Sequence, residues 1–194
     1  MTRPPDLALI SPLPPSLEKA LGRGMGALRQ LVELAIIALF LAMVAAVFLQ
    51  VFTRYVLNAS LPWTEELARF VQIWLVLLAS GLAVQRGMHI AIDLFTSLLP
   101  HAGQVLLATL MHVLVIAYAL VILRNAPDLL AATVHQTSPA LGWSMLGPYL
   151  SVPVGMGYVL LEEIGAIYGI LTGRRPVSPA PDLAGDGPDR NPPD

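Results

Sequence analysis

Residues 34–49, LAIIALFLAMVAAVFL, carry no charged or strongly polar side chain. On a helix of about 3.6 residues per turn that stretch is apolar on every face, whereas a helix of a soluble bundle keeps a polar stripe toward water. This one run points to a chain whose solvent is lipid. Composition agrees. Of the 194 residues, 56% are hydrophobic and 12% charged, against about 45–50% apolar and about 25% charged in soluble domains. Mean hydropathy is +0.69. The chain has no cysteine, so disulfides, thiolate metal sites and cysteine nucleophiles are excluded. A net charge of −2 gives no reason to expect a nucleic-acid partner.

Roughly 20 residues at about 1.5 Å each cross a hydrocarbon core about 30 Å thick. Four stretches meet that requirement, at about 31–52, 67–84, 105–123 and 145–171. The fourth contains Pro148, Pro153 and the pair Glu162–Glu163, and Pro153 predicts a bend. Basic residues set the orientation. Arg3, Lys19, Arg23, Arg29, Arg86, Arg174, Arg175 and Arg190 fall on one side, and only Arg54, Arg69 and Arg124 on the other. Both termini are therefore expected in the cytoplasm, with Trp63, Trp143 and Tyr149 at the opposite interface.

The expected fold is an all-α membrane protein of four transmembrane helices, with one or two interfacial amphipathic helices. One of these, residues 16–30 (SLEKALGRGMGALRQ), is basic and would lie on the membrane before the first span. The other, residues 87–100 (GMHIAIDLFTSLLP), sets Ile90, Leu94 and Leu98 at i, i+4, i+8 with Asp93 and Ser97 on another face. An ordinary or re-entrant loop is the alternative for it. Residues 1–15 form a flexible leader, 16–173 the membrane domain and 174–194 a tail rich in Pro, Gly and Asp. That tail has too little apolar surface to offset chain entropy and is expected to be disordered.

Charge concentrates where it is otherwise scarce, in RYVLNASLPWTEELARF, residues 54–70. Pro62 and Thr64 suit a helix start, and Glu65 and Glu66 in a first turn complement the positive end of the helix dipole. Arg69 follows them by four and three residues, on the same face. Arg54 closes the preceding helix. These groups share one membrane level and could pair across the first hairpin. The cluster is read as a structural joint or a docking patch for a partner chain. A catalytic carboxylate pair is disfavoured, because the arginines would keep both acids ionised.

His112 lies deep in the third stretch, while His89, His101 and His135 fall in connections. A two-histidine haem needs facing axial ligands at matching depth, and His112 has no histidine partner. A hydrogen-bonding contact inside the bundle fits it better. No acid lies near it at ligand spacing, so no metal or cofactor is expected. Glu162–Glu163 and Glu33 sit toward span ends, where long side chains can reach the interface and pair with Arg29, Arg86 or Arg174. Ala38, Ala42 and Ala46, Ser151 and Gly155, and Gly165 and Gly169 repeat at i, i+4 and mark helix–helix contacts. The chain has no phosphate loop, nucleophile–base pair or pair of broken helices, and so reads as an accessory to a larger assembly.

Residues 50–95, QVFTRYVLNASLPWTEELARFVQIWLVLLASGLAVQRGMHIAIDLF, resemble the small membrane subunit of tripartite ATP-independent periplasmic (TRAP) transporters, the DctQ-like family. The family pattern is matched by Arg54–Tyr55, by Trp63 with Glu65, Glu66, Leu67 and Arg69, and by Gly87, His89, Ile90 and Asp93. Ser138–Pro139 and residues 151–155 (SVPVG) are also similar. The resemblance implies a non-catalytic multi-pass protein of the bacterial inner membrane that scaffolds a large multi-helix TRAP subunit. A periplasmic substrate-binding protein would complete the system, for sodium-coupled uptake of organic acids such as dicarboxylates. In that reading Arg54, Tyr55, Trp63, Glu65, Glu66, Arg69, His89 and Asp93 form the joint or partner surface. The Pro-rich leader and tail lie outside the family pattern. The competing reading is a membrane anchor of a respiratory or redox enzyme holding haem or quinone.

Overall fold

The computed structural model describes residues 14–86 and 101–172, and every regular element among them is helical. Four helices result: α1 Pro15–Tyr55, α2 Pro62–Gln85, α3 His101–Thr133 and α4 Leu146–Leu171. Each is long and apolar enough to cross a membrane. The expected spans fall inside them, but α1 and α3 run well beyond the apolar stretches that marked them. Residues 16–30 are not a separate interfacial helix. They continue α1 without a break, because after Pro15 at the helix start no proline interrupts the backbone ladder. The glycines there lower helix propensity without ending the helix. α3 runs through Pro127 and α4 through Pro153. The second interfacial candidate, residues 87–100, lies outside the described residues, as do most of the leader and the whole of the tail.

Sequence neighbours are not all neighbours in space. α1 packs on α2, α2 on α4, and α4 on α3, giving the lateral order α1–α2–α4–α3. α4, the last of the described helices, therefore stands between α2 and α3. The two inner helices run parallel. Trp74 Nε1 donates to the Gly147 carbonyl at 3.2 Å, and further along Gly81 lies against the Tyr158 ring.

This α2–α4 seam depends on small residues. A Cβ on Gly155 would stand 2.6 Å from Leu77 Cβ, and a Cβ on Gly81 would overlap the Tyr158 ring. Ser151 is fully buried and turns its hydroxyl onto the Pro148 carbonyl at 2.5 Å. Ser151 and Gly155 thus mark an internal contact. Ala46 is buried too, whereas Ala38 and Ala42 are exposed and Gly165 meets nothing. Beside the seam, Val32 of α1, Leu78 of α2 and Tyr158 of α4 form the core, flanked by Leu28, Ala35, Ile36, Leu39 and Trp74. The outer helices turn large apolar side chains outward, among them Leu34, Phe40 and Phe48 on α1 and Leu110, Leu114 and Tyr118 on α3. In water that would be an aggregation surface; in a bilayer it is the lipid-facing or partner-facing side.

Candidate functional site

Polar groups collect in two layers, one at each end of the helices. The first layer holds the motif of residues 54–70. The chain leaves α1 through residues 56–61, where Asn58 takes a left-handed conformation at φ 50°, tolerated by its short polar side chain. It enters α2 at Pro62, and the buried Thr64 hydroxyl donates to the Leu61 carbonyl at 2.7 Å. Glu65 and Arg69 form the i, i+4 pair their spacing suggests, at 3.0 Å and largely in the open. Such exposed helix pairs contribute about 0.3–0.5 kcal/mol. Arg54 lies over its neighbour Tyr55, 6.0 Å from the ring centroid, rather than across the hairpin. Trp63 and Tyr55 are exposed.

Glu66 makes the contact that sequence spacing did not reveal. One of its carboxylate oxygens accepts the backbone N–H groups of Ala140 at 3.0 Å and Leu141 at 2.9 Å. Those amides belong to the α3–α4 connection, which closes on itself. Ser138 N–H donates to the Trp143 carbonyl at 2.8 Å, and Gly142 N–H to the Ser138 carbonyl at 3.0 Å, with Gly142 at φ 68°. Ser138, of the Ser138–Pro139 pair, is buried. Glu66 therefore ties the start of α2 to the turn that leads into α4. Any residue but proline offers a backbone N–H, so no particular residue type at 140 and 141 could have announced this partner. His89 and Asp93 lie outside the described residues.

The second layer lies toward the opposite ends of the helices and is more deeply buried. Glu162 and Glu163 are 1% and 0% exposed. They do not extend to the interface, because each is met by a side chain from another helix. Arg29 of α1 grips Glu162 with two bonds, Nε to Oε1 at 2.8 Å and Nη2 to Oε2 at 2.7 Å. That two-pronged geometry is the strong form of a charge-assisted pair. His112 of α3 meets Glu163, Nδ1 to Oε2 at 2.5 Å. His112 thus has an acid after all, 51 residues along the chain. Adjacent side chains on a helix point about 100° apart, so α4 reaches α1 with one glutamate and α3 with the next. Arg86 at the end of α2 pairs with Glu33 of α1 at 3.0 Å. Pairing with Arg29 and Arg86 was expected; the depth of the Glu162 pair was not.

Chemically, the first layer is a set of helix-end contacts and the second a set of closed acid–base pairs. Among the described residues, no three His, Cys, Asp or Glu side chains converge as a metal site. The other two histidines among the described residues stand at helix ends: His101 opens α3 and His135 follows it. A two-histidine haem site therefore has no support in the described residues.

Comparison with known proteins gives a consistent answer. Residues 43–173 match the family model of the DctQ component of tripartite ATP-independent periplasmic transporters. The chain is 33% identical over 113 residues to the isethionate TRAP transporter permease protein DctMQ of Oleidesulfovibrio alaskensis, covering 57% of this chain but 18% of that protein. It is 24% identical over 139 residues to the sialic acid TRAP transporter small permease protein SiaQ of Vibrio cholerae, covering 72% of this chain and 80% of the relative. To the C4-dicarboxylate TRAP transporter small permease protein DctQ of the same organism it is 23% identical, covering 74% and 72%. A segment of 62 residues is also 34% identical to the sialic acid TRAP transporter permease protein SiaT of Haemophilus influenzae, within 10% of that protein's length. With four apolar spanning helices and bacterial relatives of this type, the protein is a multi-pass protein of the bacterial inner membrane. The chain belongs to the family of DctQ components, the small permease subunits of TRAP transporters.

Proposed function

We propose that this subunit is a non-catalytic scaffold that holds a larger TRAP permease subunit in the bilayer while that subunit moves solute. The observation that carries the reading is the occurrence of similar segments inside much longer permease chains, 18% of one and 10% of another. A segment that exists covalently joined to a large permease in some proteins is expected to stand beside one here. The two polar layers support a fixed role, since they link α4 to each of its helical neighbours and to α1. The substrate class is organic acids, with dicarboxylates as one example. The relatives' names specify isethionate, sialic acid and C4-dicarboxylates, all organic anions at neutral pH. Delivery by a periplasmic substrate-binding protein and coupling to sodium follow from the family reading.

Purification of the tagged chain from its native membrane in mild detergent tests this. The expected eluate is colourless and contains a larger multi-helix membrane chain. Reconstituted with that chain and the binding protein, it should support organic-acid uptake only under an inward sodium gradient. Absence of a large membrane partner would overturn the scaffold reading, and a Soret band would point to a haem anchor instead.

A further inference from the structure

Charge also stands between the two polar layers, on the outside of the molecule. The apolar stretch that marked the third span ends at Leu123, yet α3 continues to Thr133 and carries Arg124, Asn125 and Asp128 on the way. Their depth follows from the packing. α3 runs antiparallel to α4, with His112 against Glu163. Twelve residues on from His112 is Arg124, and twelve back from Glu163 is Ser151. Ser151 stands midway between Gly147, which accepts from Trp74, and Gly155, which lies on Leu77. Arg124 is thus level with the middle of α2. The two polar layers meet α2 at Glu66 and Arg86, about 30 Å apart along the helix, which is the thickness of a hydrocarbon core. Arg124 then lies about 10 Å inside the Glu66 layer, and Asp128 about 5 Å inside it.

With Val121, these three residues repeat at i, i+3, i+4 and i+7 and share one face, on the far side of α3 from the buried Ala126. All four are exposed. Asn125 turns its amide back onto the Val121 carbonyl at 2.7 Å. Among the described residues, the ion pairs include neither Arg124 nor Asp128. The outer face of α1 at this depth is wholly apolar, with Phe40, Leu41, Val44 and Phe48 exposed. Charged side chains at such depth face protein or a water-filled cavity rather than lipid, and the Asp128 side chain is too short to extend to the layer.

We infer that the outer face of α3 around Arg124, Asn125 and Asp128 is covered by a transmembrane segment of the larger permease chain, while the outer face of α1 meets lipid. The inference rests on the scaffold reading and names the face that the scaffold uses. The covering segment offers acceptors to Arg124, a carboxylate or free carbonyls, and a hydroxyl, amide or cationic donor to Asp128. The larger permease is the occupant because segments like this chain occur inside longer permease chains.

The test uses the full chain in its native membrane with the rest of its transport system present. A photoreactive benzophenone amino acid replaces Leu114 or Val121 on α3, and Leu41 or Val44 on α1, all exposed. After illumination the α3 positions should link to a larger membrane chain with a yield about fivefold or more above the α1 positions. Equal or reversed yields, an adduct of two copies of this chain, a link within this chain alone, or no adduct would each overturn the inference. Copurification with the unsubstituted tagged chain separates the two readings. A larger chain that copurifies but links through α1 overturns only the choice of face, whereas its absence overturns the scaffold reading as well. A second measurement needs no crosslinker. Arg124→Leu combined with Asp128→Leu makes the face apolar, which lipid would accept. The larger chain recovered per subunit should fall about fivefold or more, and unchanged recovery would overturn the inference.

Discussion

One carboxylate oxygen of Glu66 holds two backbone amides of the turn between α3 and α4. Hydrogen bonds to a charged acceptor contribute about 1.5–3 kcal/mol each when made, and a donor left without a partner in a partly buried turn costs a similar amount. Glu66→Lys removes the acceptor and brings a positive charge against two N–H groups. It should lower the thermal midpoint of the detergent-solubilised protein and its yield in membranes, by about 2–3 kcal/mol of stability. Glu66→Gln, which keeps an acceptor oxygen, should lose less. Asp182→Lys should leave both readouts unchanged, and equal effects at 66 and 182 would remove the special status of the joint. At this scale the sequence revealed what spacing can reveal. Glu65 and Arg69 are four apart and do pair. Glu66 looked equivalent to Glu65, but its partners are amides 74 and 75 residues away. The Glu162–Arg29 pair bridges 133 residues. Local periodicity has no access to such distances.

Helix seams obey a different constraint, that of space. Gly81 lies beneath the Tyr158 ring and Gly155 beneath Leu77, while a Cβ on Gly165 would meet nothing. Gly81→Ala should therefore destabilise the subunit by about 1–3 kcal/mol, the usual cost of forcing a methyl into a filled core. Gly165→Ala should be neutral or slightly stabilising through helix propensity. Combining Gly81→Ala with Tyr158→Leu should recover part of the loss; unfolding curves of the four proteins in one detergent would decide. The glycine and small-residue spacing was visible in the sequence, but not which repeat faces inward. Ser151–Gly155 does and Ala38–Ala42 does not, because that depends on which helix arrives alongside. The spans themselves were legible because an all-apolar run of sufficient length has few alternatives. Their ends were less so, as the unbroken start of α1 shows: helical backbone continues past the apolar stretch wherever no proline or turn stops it.

For the molecule as a whole, Glu66 shows that the α1–α2 and α3–α4 connections lie at one end, with the Arg29–Glu162, Arg86–Glu33 and His112–Glu163 pairs toward the other. By the distribution of basic residues, the connections are expected in the periplasm. A chain without cysteine makes the test direct. Single cysteines at Ala59 and Ser144 should react with a membrane-impermeant maleimide in spheroplasts, and those at Thr2 and Asp182 only after permeabilisation. The opposite pattern would invert the topology.

The lateral order α1–α2–α4–α3 also dictates a sequence of events during synthesis. When α3 leaves the ribosome, α4, the one described helix it packs against, does not yet exist. The α1–α2 hairpin can close early, but Arg29 and His112 wait in the membrane without their carboxylates. The last helix then has to enter between two that are already inserted, with Glu162 and Glu163 arriving together to meet both. By this order α4 acts as a keystone, and a chain cut short before it would lack the carboxylates that meet Arg29 and His112.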